Sequence, residues 1–236
     1  MPRVFCSLVL FCTTFLVAPP TASAAPITVP ASLSPGSQYR LVFVTSTTRD
    51  ANSTNIADYN TFVTNAANSV PQLVALGTPW KAIGSTLTDA ARDNTGTNPG
   101  VNFPDVPLYS LDGSIVANDN ADFWDGSHLA GINRNESGDF SVDNAVWTGT
   151  STSGTAAINQ YLGSVIIPFI AIGAPYDSNA NWTSAAGVDH NELHYLYGMS
   201  GVLTVVPEPG SIVLACLTAA GLAVTSVRRR RLGHPS

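Results

Sequence analysis

The chain has 236 residues, and its 10 basic and 16 acidic side chains give it a formal net charge of −6. Five of the basic and fifteen of the acidic residues lie between positions 25 and 206, so this segment carries a charge of −10. Such a charge repels anionic lipid and excludes nucleic acid as a partner. The three cysteines of the chain, Cys6, Cys12 and Cys216, all lie outside that segment, which excludes disulfides, cysteine-ligated zinc and a cysteine nucleophile within it.

The N-terminus has the pattern of a secretory signal peptide. Arg3 supplies a positive charge, residues 4–17 form an apolar run, and Ala22, Ser23 and Ala24 provide a small-x-small cleavage site. We therefore predict that residues 1–24 are removed and that residues 25–206 form one exported domain.

The first strongly patterned segments of the exported domain are a strand and a helix. Residues 39–45 alternate long apolar with smaller or polar side chains, which predicts a β-strand. Residues 55–67 predict an α-helix, because apolar side chains recur there at three- and four-residue spacing. The apolar face of this helix contains Ile56, Tyr59, Phe62, Val63 and Ala66.

Shorter signals follow, separated by Gly, Asn and Asp turns. A second, short helix is predicted around residues 87–92. Strands are predicted at residues 80–85, 106–111, 145–150, 165–172 and 201–206. One main amphipathic helix, short antiparallel strands and long loops together predict a single α+β domain. We expect its last strand to lie in the sheet beside the first.

An acidic loop at residues 118–126 is a candidate metal site. It contains Asp119, Asp122 and Asp125 together with Asn118 and Asn120. Ca²⁺ takes six to eight oxygen ligands from flexible acidic loops of this kind. The spacing of an EF-hand is absent, and Asp and Asn clusters also form ordinary turns. The sequence leaves both interpretations open, and it predicts no cofactor other than this Ca²⁺ ion.

Four tryptophans are spread through the exported domain. Trp80, Trp124, Trp147 and Trp182 can serve as core residues, because large aromatic side chains supply much of the buried area of a domain without disulfides. Alternatively, one or two of them are exposed platforms that stack on sugar rings. Trp124 and Trp182, which have polar neighbours, are the candidates for such glycan contact.

Recognisable catalytic motifs are scarce. His190 and His194 are spaced four residues apart, but Asn191 occupies the position at which a zincin helix has its glutamate, so polar loop residues are the simpler interpretation. No nucleophile elbow, P-loop or dinucleotide fingerprint occurs. A pair of carboxylates for glycoside hydrolysis stays open, because the separation of the two groups is a property of the fold.

The C-terminus combines three features in a fixed order. Pro207, Glu208 and Pro209 are followed by the uncharged residues 211–227. Four basic residues come next: Arg228, Arg229, Arg230 and Arg231. The uncharged run is long enough for a transmembrane helix, and the arginines mark its cytoplasmic end. The rest of the chain would then lie on the far side of the inner membrane. A plain anchor with a chance Pro-Glu-Pro is the alternative.

This arrangement resembles the PEP-CTERM sorting signal of Gram-negative, exopolysaccharide-making bacteria. The resemblance implies that residues 207–231 are the signal, that Pro207, Glu208 and Pro209 are its recognition motif, and that the helix anchors the precursor transiently. It further implies that an exosortase, a membrane processing enzyme, is the partner. The protein would then end at the cell surface or outside the cell.

Spaced motifs within the exported domain resemble a bacterial family of secreted domains with a C-type-lectin-like fold and no settled function. The motifs lie at residues 41–45, in the helix around residues 57–58, and at residues 80–86, 111–117, 122–126, 136–138, 146–150 and 181–184. The chain lacks that family's cysteine pair and the Ca²⁺ and sugar signatures of true C-type lectins. The resemblance therefore implies a fold and a surface location, and carries no sugar site across.

These observations predict an exported cell-surface or extracellular-matrix protein. Its expected role is non-enzymatic: a structural, adhesive or polysaccharide-binding component, with exopolysaccharide as a candidate partner. The alternative is a secreted hydrolase that acts on polysaccharide through a pair of carboxylates.

Overall fold

The computed structural model describes residues 25–141 and 145–207, and within these ranges it shows an α+β fold with nine strands and five helices. The α+β prediction is therefore confirmed. The predicted signal peptide, transmembrane helix and arginine cluster, together with Glu208 and Pro209, lie outside the described residues. No helix within the described residues is long and apolar enough to cross a membrane.

The strands form one large sheet. Their order across it is β4-β3-β1-β8-β5-β6-β7, with β2 paired to β8 and β9 paired to β1. The strands are β1 (Gln38–Val44), β2 (Trp80–Ala82), β3 (Leu108–Ser110), β4 (Ile115–Ala117), β5 (Val146–Trp147), β6 (Phe169–Gly173), β7 (Ala186–Asp189), β8 (Tyr195–Ser200) and β9 (Leu203–Thr204).

Most strand pairs among the described residues are antiparallel, as predicted, but two are parallel, so the sheet is mixed. β1 pairs with β3 in parallel, with Arg40 opposite Leu108, and β5 pairs with β8 in parallel, with Val146 opposite Tyr195. Parallel pairing needs a long crossover between the two strands. The chain provides one, because the main helix and β2 lie between β1 and β3.

The main helix, α1 (Ile56–Asn68), lies where the sequence predicts it. The Asn55 side chain caps it by accepting a hydrogen bond from the Ala57 amide. Its buried face contains Tyr59, Val63, Ala66 and Ala67, whereas Phe62 is half-buried. The other helices are single turns: α2 (Pro71–Val74), α3 (Ala91–Asn94), α4 (Asn120–Phe123) and α5 (Asn181–Ser184). The second predicted helix is thus present as α3, displaced toward the C-terminus.

The central strand β8 is absent from the sequence-based prediction. It pairs with three other strands, β1, β2 and β5, and therefore lies in the interior of the sheet. Gly198 allows α1 to approach β8 closely. A Cβ atom at Gly198 would come within 2.6 Å of Val63 Cγ1 and 2.7 Å of Phe43 Cε1.

The expectation that the last strand lies beside the first is confirmed. In the antiparallel pair of β1 and β9, Gln38 is opposite Thr204 and Tyr39 is opposite Leu203. The Val205 amide donates to the Ser37 carbonyl (2.9 Å), and the Gly36 amide donates to the Val205 carbonyl (2.8 Å). Both peptide groups of Val205 are thereby held by the segment that precedes β1.

The core has two layers, one on each face of β1. Tyr39, Leu41 and Phe43 contact the apolar cluster that includes α1, while Val42 and Val44 contact a second cluster. This division follows from the alternation of side chains along a strand. All apolar residues of both clusters lie between positions 33 and 205. The described core is therefore contained within the predicted exported domain.

Candidate functional site

The four tryptophans are core residues. Trp80, Trp124, Trp147 and Trp182 are all buried, and Trp182 has no exposed surface. The prediction that Trp124 and Trp182 are exposed platforms for sugar rings is therefore wrong. The physical reason is that the apolar side chains on the second face of β1 must be buried, and the segments that contain Trp124 and Trp182 pack over them.

Trp124 and Trp182 belong to a buried aromatic cluster with Phe123 and His128. The His128 ring stacks on Phe123 with 4.8 Å between ring centroids and lies 4.0 Å from the Trp182 centroid. The centroids of Trp124 and Trp182 are 5.5 Å apart. The Trp124 indole N–H donates to Thr97 Oγ1 at 3.0 Å, which fixes the orientation of that ring.

His128 is held in its neutral form by this cluster. Burial lowers the pKa of His128 to about 4, and the hydrogen bond with the Phe123 carbonyl and the nearby carboxylates of Asp125 and Asp122 offset only part of that effect. Its Nε2 atom lies 3.3 Å from the Phe123 carbonyl oxygen. A buried neutral histidine links the stability of the fold to pH.

The acidic loop closes turns with its carboxylates. Asp119 caps α4 by accepting from the Asp122 amide (2.8 Å), and Asp122 accepts from the amide and side chain of Asn118 (2.7 and 2.8 Å). Asp125 accepts from the Ser127 amide at 2.8 Å. These contacts support the turn interpretation.

No three His, Cys, Asp or Glu side chains come together as a metal site among the residues that the structure describes. Joint Ca²⁺ binding by Asp119, Asp122 and Asp125 stays a prediction.

Two carboxyl groups have a displaced pKa that bears on acid catalysis. Burial raises the pKa of Asp112, but hydrogen bonds from Ser114 and the contact with Arg134 at 3.0 Å outweigh it and lower the pKa overall. Hydrogen bonds from Asn191 lower the pKa of Asp189. Both shifts favour the ionised form, whereas a general acid needs a raised pKa.

Glu136 is the most deeply buried acid of the exported domain's described residues, with 3% of its surface exposed. Its carboxylate accepts hydrogen bonds from the Ser46 amide (2.8 Å) and the Ser46 hydroxyl. Glu136 thus ties its loop to the residues that follow β1. These hydrogen bonds give Glu136 a structural role.

The two spaced histidines lie in the turn between β7 and β8, outside any helix. The His194 ring contacts the Glu192 carboxylate at 3.2 Å and lies edge-on to Trp147. The His190 carbonyl accepts from the Ala51 amide. This geometry supports the interpretation as polar loop residues.

Arg40 is a buried residue whose role the sequence analysis missed. Its guanidinium donates to the carbonyls of Thr95 (3.1 Å), Gly96 (3.0 Å) and Ser200 (3.0 Å). Burial lowers the pKa of Arg40. In the sequence, the only sign of this role is that Arg40 is a single basic residue within the apolar strand β1. Arg40 fastens the turn after α3 to the sheet.

The end of the described chain, at Val206 and Pro207, is the candidate functional site that the geometry defines best. Val205 is buried, whereas Val206 is 77% exposed and Pro207 is exposed. A groove of about 480 Å³ runs beside β9, and Val29, Leu76 and Val202 contribute to its lining. Pro207, the first residue of the predicted sorting motif, is therefore accessible at an apolar part of the molecular surface.

No protein-family model and no curated protein matches the chain.

Proposed function

We propose that the protein is an exported cell-surface or extracellular-matrix component, structural or adhesive in role, that an exosortase-type enzyme processes at Pro207, Glu208 and Pro209. The observation that carries this proposal is the conformation of the last described residues. Val205 is held on both sides by hydrogen bonds, and the next two residues are exposed. A folded domain whose last described residue, the exposed Pro207, begins the predicted motif suits delivery followed by processing.

The short connection limits where the domain can lie before processing. Ser211, the first residue of the uncharged run, lies six positions after Val205. Fully extended, six residues span at most about 20 Å. We infer that the domain of an anchored precursor stays next to the membrane, although its charge of −10 repels anionic lipid. Cleavage at the motif would release it from this position.

We further propose that the α+β fold is C-type-lectin-like. Three features support this finer assignment: one main helix, long loops, and a C-terminal strand paired with the first strand. The missing cysteine pair is compatible with it, because two apolar clusters stabilise the described residues.

A non-enzymatic role fits the site chemistry better than a hydrolase. The carboxylates of Asp119, Asp122, Asp125 and Glu136 each accept local hydrogen bonds that close turns or join loops. Because Trp124 and Trp182 are buried, any contact with exopolysaccharide has to use other side chains.

Processing can be tested in two matched Gram-negative strains, one with an exosortase and one without it. The full chain would be expressed in both, and its size and location followed by immunoblotting. We expect a shorter, released form only in the strain that contains the enzyme. Identical size and location in both strains would contradict the proposal.

A further inference from the structure

A pocket of about 430 Å³ lies at the first described residues, and we call it the N-terminal pocket. Its lining comes from three parts of the exported domain. Ala25 and Pro26 begin the described chain, Ser69 caps the C-terminal end of α1, and Ser137 and Asp139 belong to the loop between α4 and β5. The residue that signal-peptide removal is predicted to leave at the N-terminus, Ala25, therefore lines a pocket.

The segment that follows Ala25 is fixed to the domain. Pro26 is buried, and the Ile27 amide donates to the Leu111 carbonyl at 2.7 Å. A residue that precedes proline is restricted to an extended backbone, so Ala25 itself has little conformational freedom. The start of the exported chain is thus positioned at the N-terminal pocket, and little entropy is lost when it binds there.

The loop that contributes Asp139 is also held in place. The Asn135 side chain accepts from the amides of Ser137 and Asp139, both at 3.0 Å, and the Asn135 amide donates to the Asp139 carbonyl at 2.8 Å. These hydrogen bonds use the backbone of Asp139 and leave its carboxylate out of the turn. A carboxylate has about four lone-pair sites, so Asp139 can accept from an ammonium group in addition to other donors.

The N-terminal pocket favours a positive charge. Asp139 is the only charged side chain among the described residues that line it. The C-terminal end of α1 also meets the pocket, at Ser69, and the last turn of this 13-residue helix contains no basic residue. A helix C-terminus carries a partial negative charge and stabilises a nearby cation. The carboxylate and the helix end therefore act in the same direction.

Removal of the signal peptide creates such a cation. Water adds across the peptide bond between Ala24 and Ala25, in a hydrolysis that signal peptidase catalyses. The new carboxylate leaves on Ala24 with the signal peptide, and the new amine stays on Ala25. An α-amino group has a pKa of about 8, so it is mostly protonated at neutral pH. Before cleavage the same nitrogen is an uncharged peptide group, so the charge arises only in the processed chain.

We propose that the N-terminal pocket binds the chain's own new N-terminus, with the α-ammonium group of Ala25 paired to the Asp139 carboxylate. The pair joins the start of the exported chain to the loop between α4 and β5, and it forms only after residues 1–24 are removed. This inference rests on the proposed export of the protein. It is independent of processing at the C-terminal motif.

The test uses the full chain, exported in a strain without exosortase, extracted with mild detergent and treated with an amine-acetylating reagent near pH 7. The processed chain has two amino groups, the α-amino group of Ala25 and the side chain of Lys81, the only lysine of the sequence. Mass spectrometry of its peptides identifies the N-terminus and gives both labelling rates. Lys81 of β2 lies outside the lining of the N-terminal pocket and is the internal reference.

Asp139→Asn should raise the labelling rate of Ala25 relative to Lys81 by about threefold or more. Only the unprotonated amine reacts, and an ammonium group that lacks its carboxylate partner loses its proton more readily. Glu192→Gln is the matched control, because it removes one negative charge at an exposed turn outside the pocket and should leave the ratio unchanged.

A second measurement keeps Asp139 in place. Two glycines inserted after Ala24 move the new ammonium group by about 7 Å. The N-terminal amine of that chain should be labelled faster than Ala25 of the wild-type chain, and adding Asp139→Asn should have no further effect. Protease resistance of every variant checks that the fold is intact.

Two results would overturn the pairing alone. One is equal labelling of Ala25 in the wild-type and Asp139→Asn chains, and the other is an equal effect of Asp139→Asn with and without the added glycines. A chain that retains residues 1–24 would instead overturn the proposed export together with this inference, so the two failures are distinguishable.

Discussion

Tyr39 of β1 lies directly opposite Leu203 of β9, so the first strand in the chain pairs with the last described strand. Both side chains are buried in the same apolar cluster as α1. The Tyr39 hydroxyl donates to the Thr28 carbonyl at 2.6 Å, which adds the segment before β1 to this contact. The last described strand is therefore stabilised by the core of the exported domain.

Leu203→Ala should destabilise the exported domain by about 2–4 kcal/mol, because it leaves a cavity where a buried leucine packs. Val206→Ala is the control, since Val206 is three residues away and exposed. We expect it to change the free energy of unfolding by less than about 0.5 kcal/mol. Urea unfolding of residues 25–207 measures both values, and equal values would mean that β9 does not join the sheet.

Gly198→Ala should destabilise the fold by about 1–3 kcal/mol through overpacking. The new methyl group would come too close to Val63 and Phe43. Combining it with Val63→Ala should recover part of the loss, because the shorter side chain makes room for the methyl group. A double-mutant cycle with urea unfolding measures this coupling, and strictly additive losses would contradict the close packing of α1 on β8.

His128 should make the fold sensitive to acid. Unfolded histidine binds its proton near pH 6.5, but the folded group does so only near pH 4, so the unfolded state binds more protons between these values. Stability is therefore lost as pH falls through this window. The contribution of His128 should fall by about 2 kcal/mol between pH 7 and pH 5.

The measurement compares the wild-type domain with His128→Gln at both pH values. The difference in unfolding free energy between the two proteins should shrink at pH 5. His190→Gln, at a half-buried turn residue, serves as the control. A difference that stays the same at pH 7 and pH 5 would show that His128 is not held neutral by burial.

Asp119→Ala should cost about 0.5–2 kcal/mol through loss of the cap of α4. If the three aspartates only close turns, Ca²⁺ and Mg²⁺ at equal ionic strength should raise the melting temperature of the wild-type domain equally. We expect this result. A Ca²⁺-specific rise that Asp119→Ala abolishes would instead establish joint Ca²⁺ binding, because an ion that binds only the folded state stabilises it.

The sequence predicted correctly those helices, strands and turns that are formed by residues close together in the chain. α1 was predictable because its buried residues recur at helical spacing, and β1 because it alternates. Asp119 and its neighbours were predictable as turn formers, because such hydrogen bonds join residues only two to four positions apart.

Features decided by tertiary packing were not predictable in this way. β8 is buried on both faces, so its sequence does not alternate and Gly198 makes it resemble a loop. Trp124 and Trp182 have polar sequence neighbours, yet distant strands bury them. The mixed strand directions depend on how the crossover after β1 returns to the sheet, which no local pattern encodes.

The central claim, processing at the C-terminal motif, is tested most directly by Glu208→Ala in the full chain. Two prolines flank Glu208 and favour an extended backbone that an enzyme can reach. In a strain with an exosortase, we expect the variant to stay in the inner-membrane fraction as an uncleaved precursor, while Glu192→Ala, which removes one charge from an exposed turn, is released like the wild-type chain. Release of Glu208→Ala at the wild-type level and size would contradict the account.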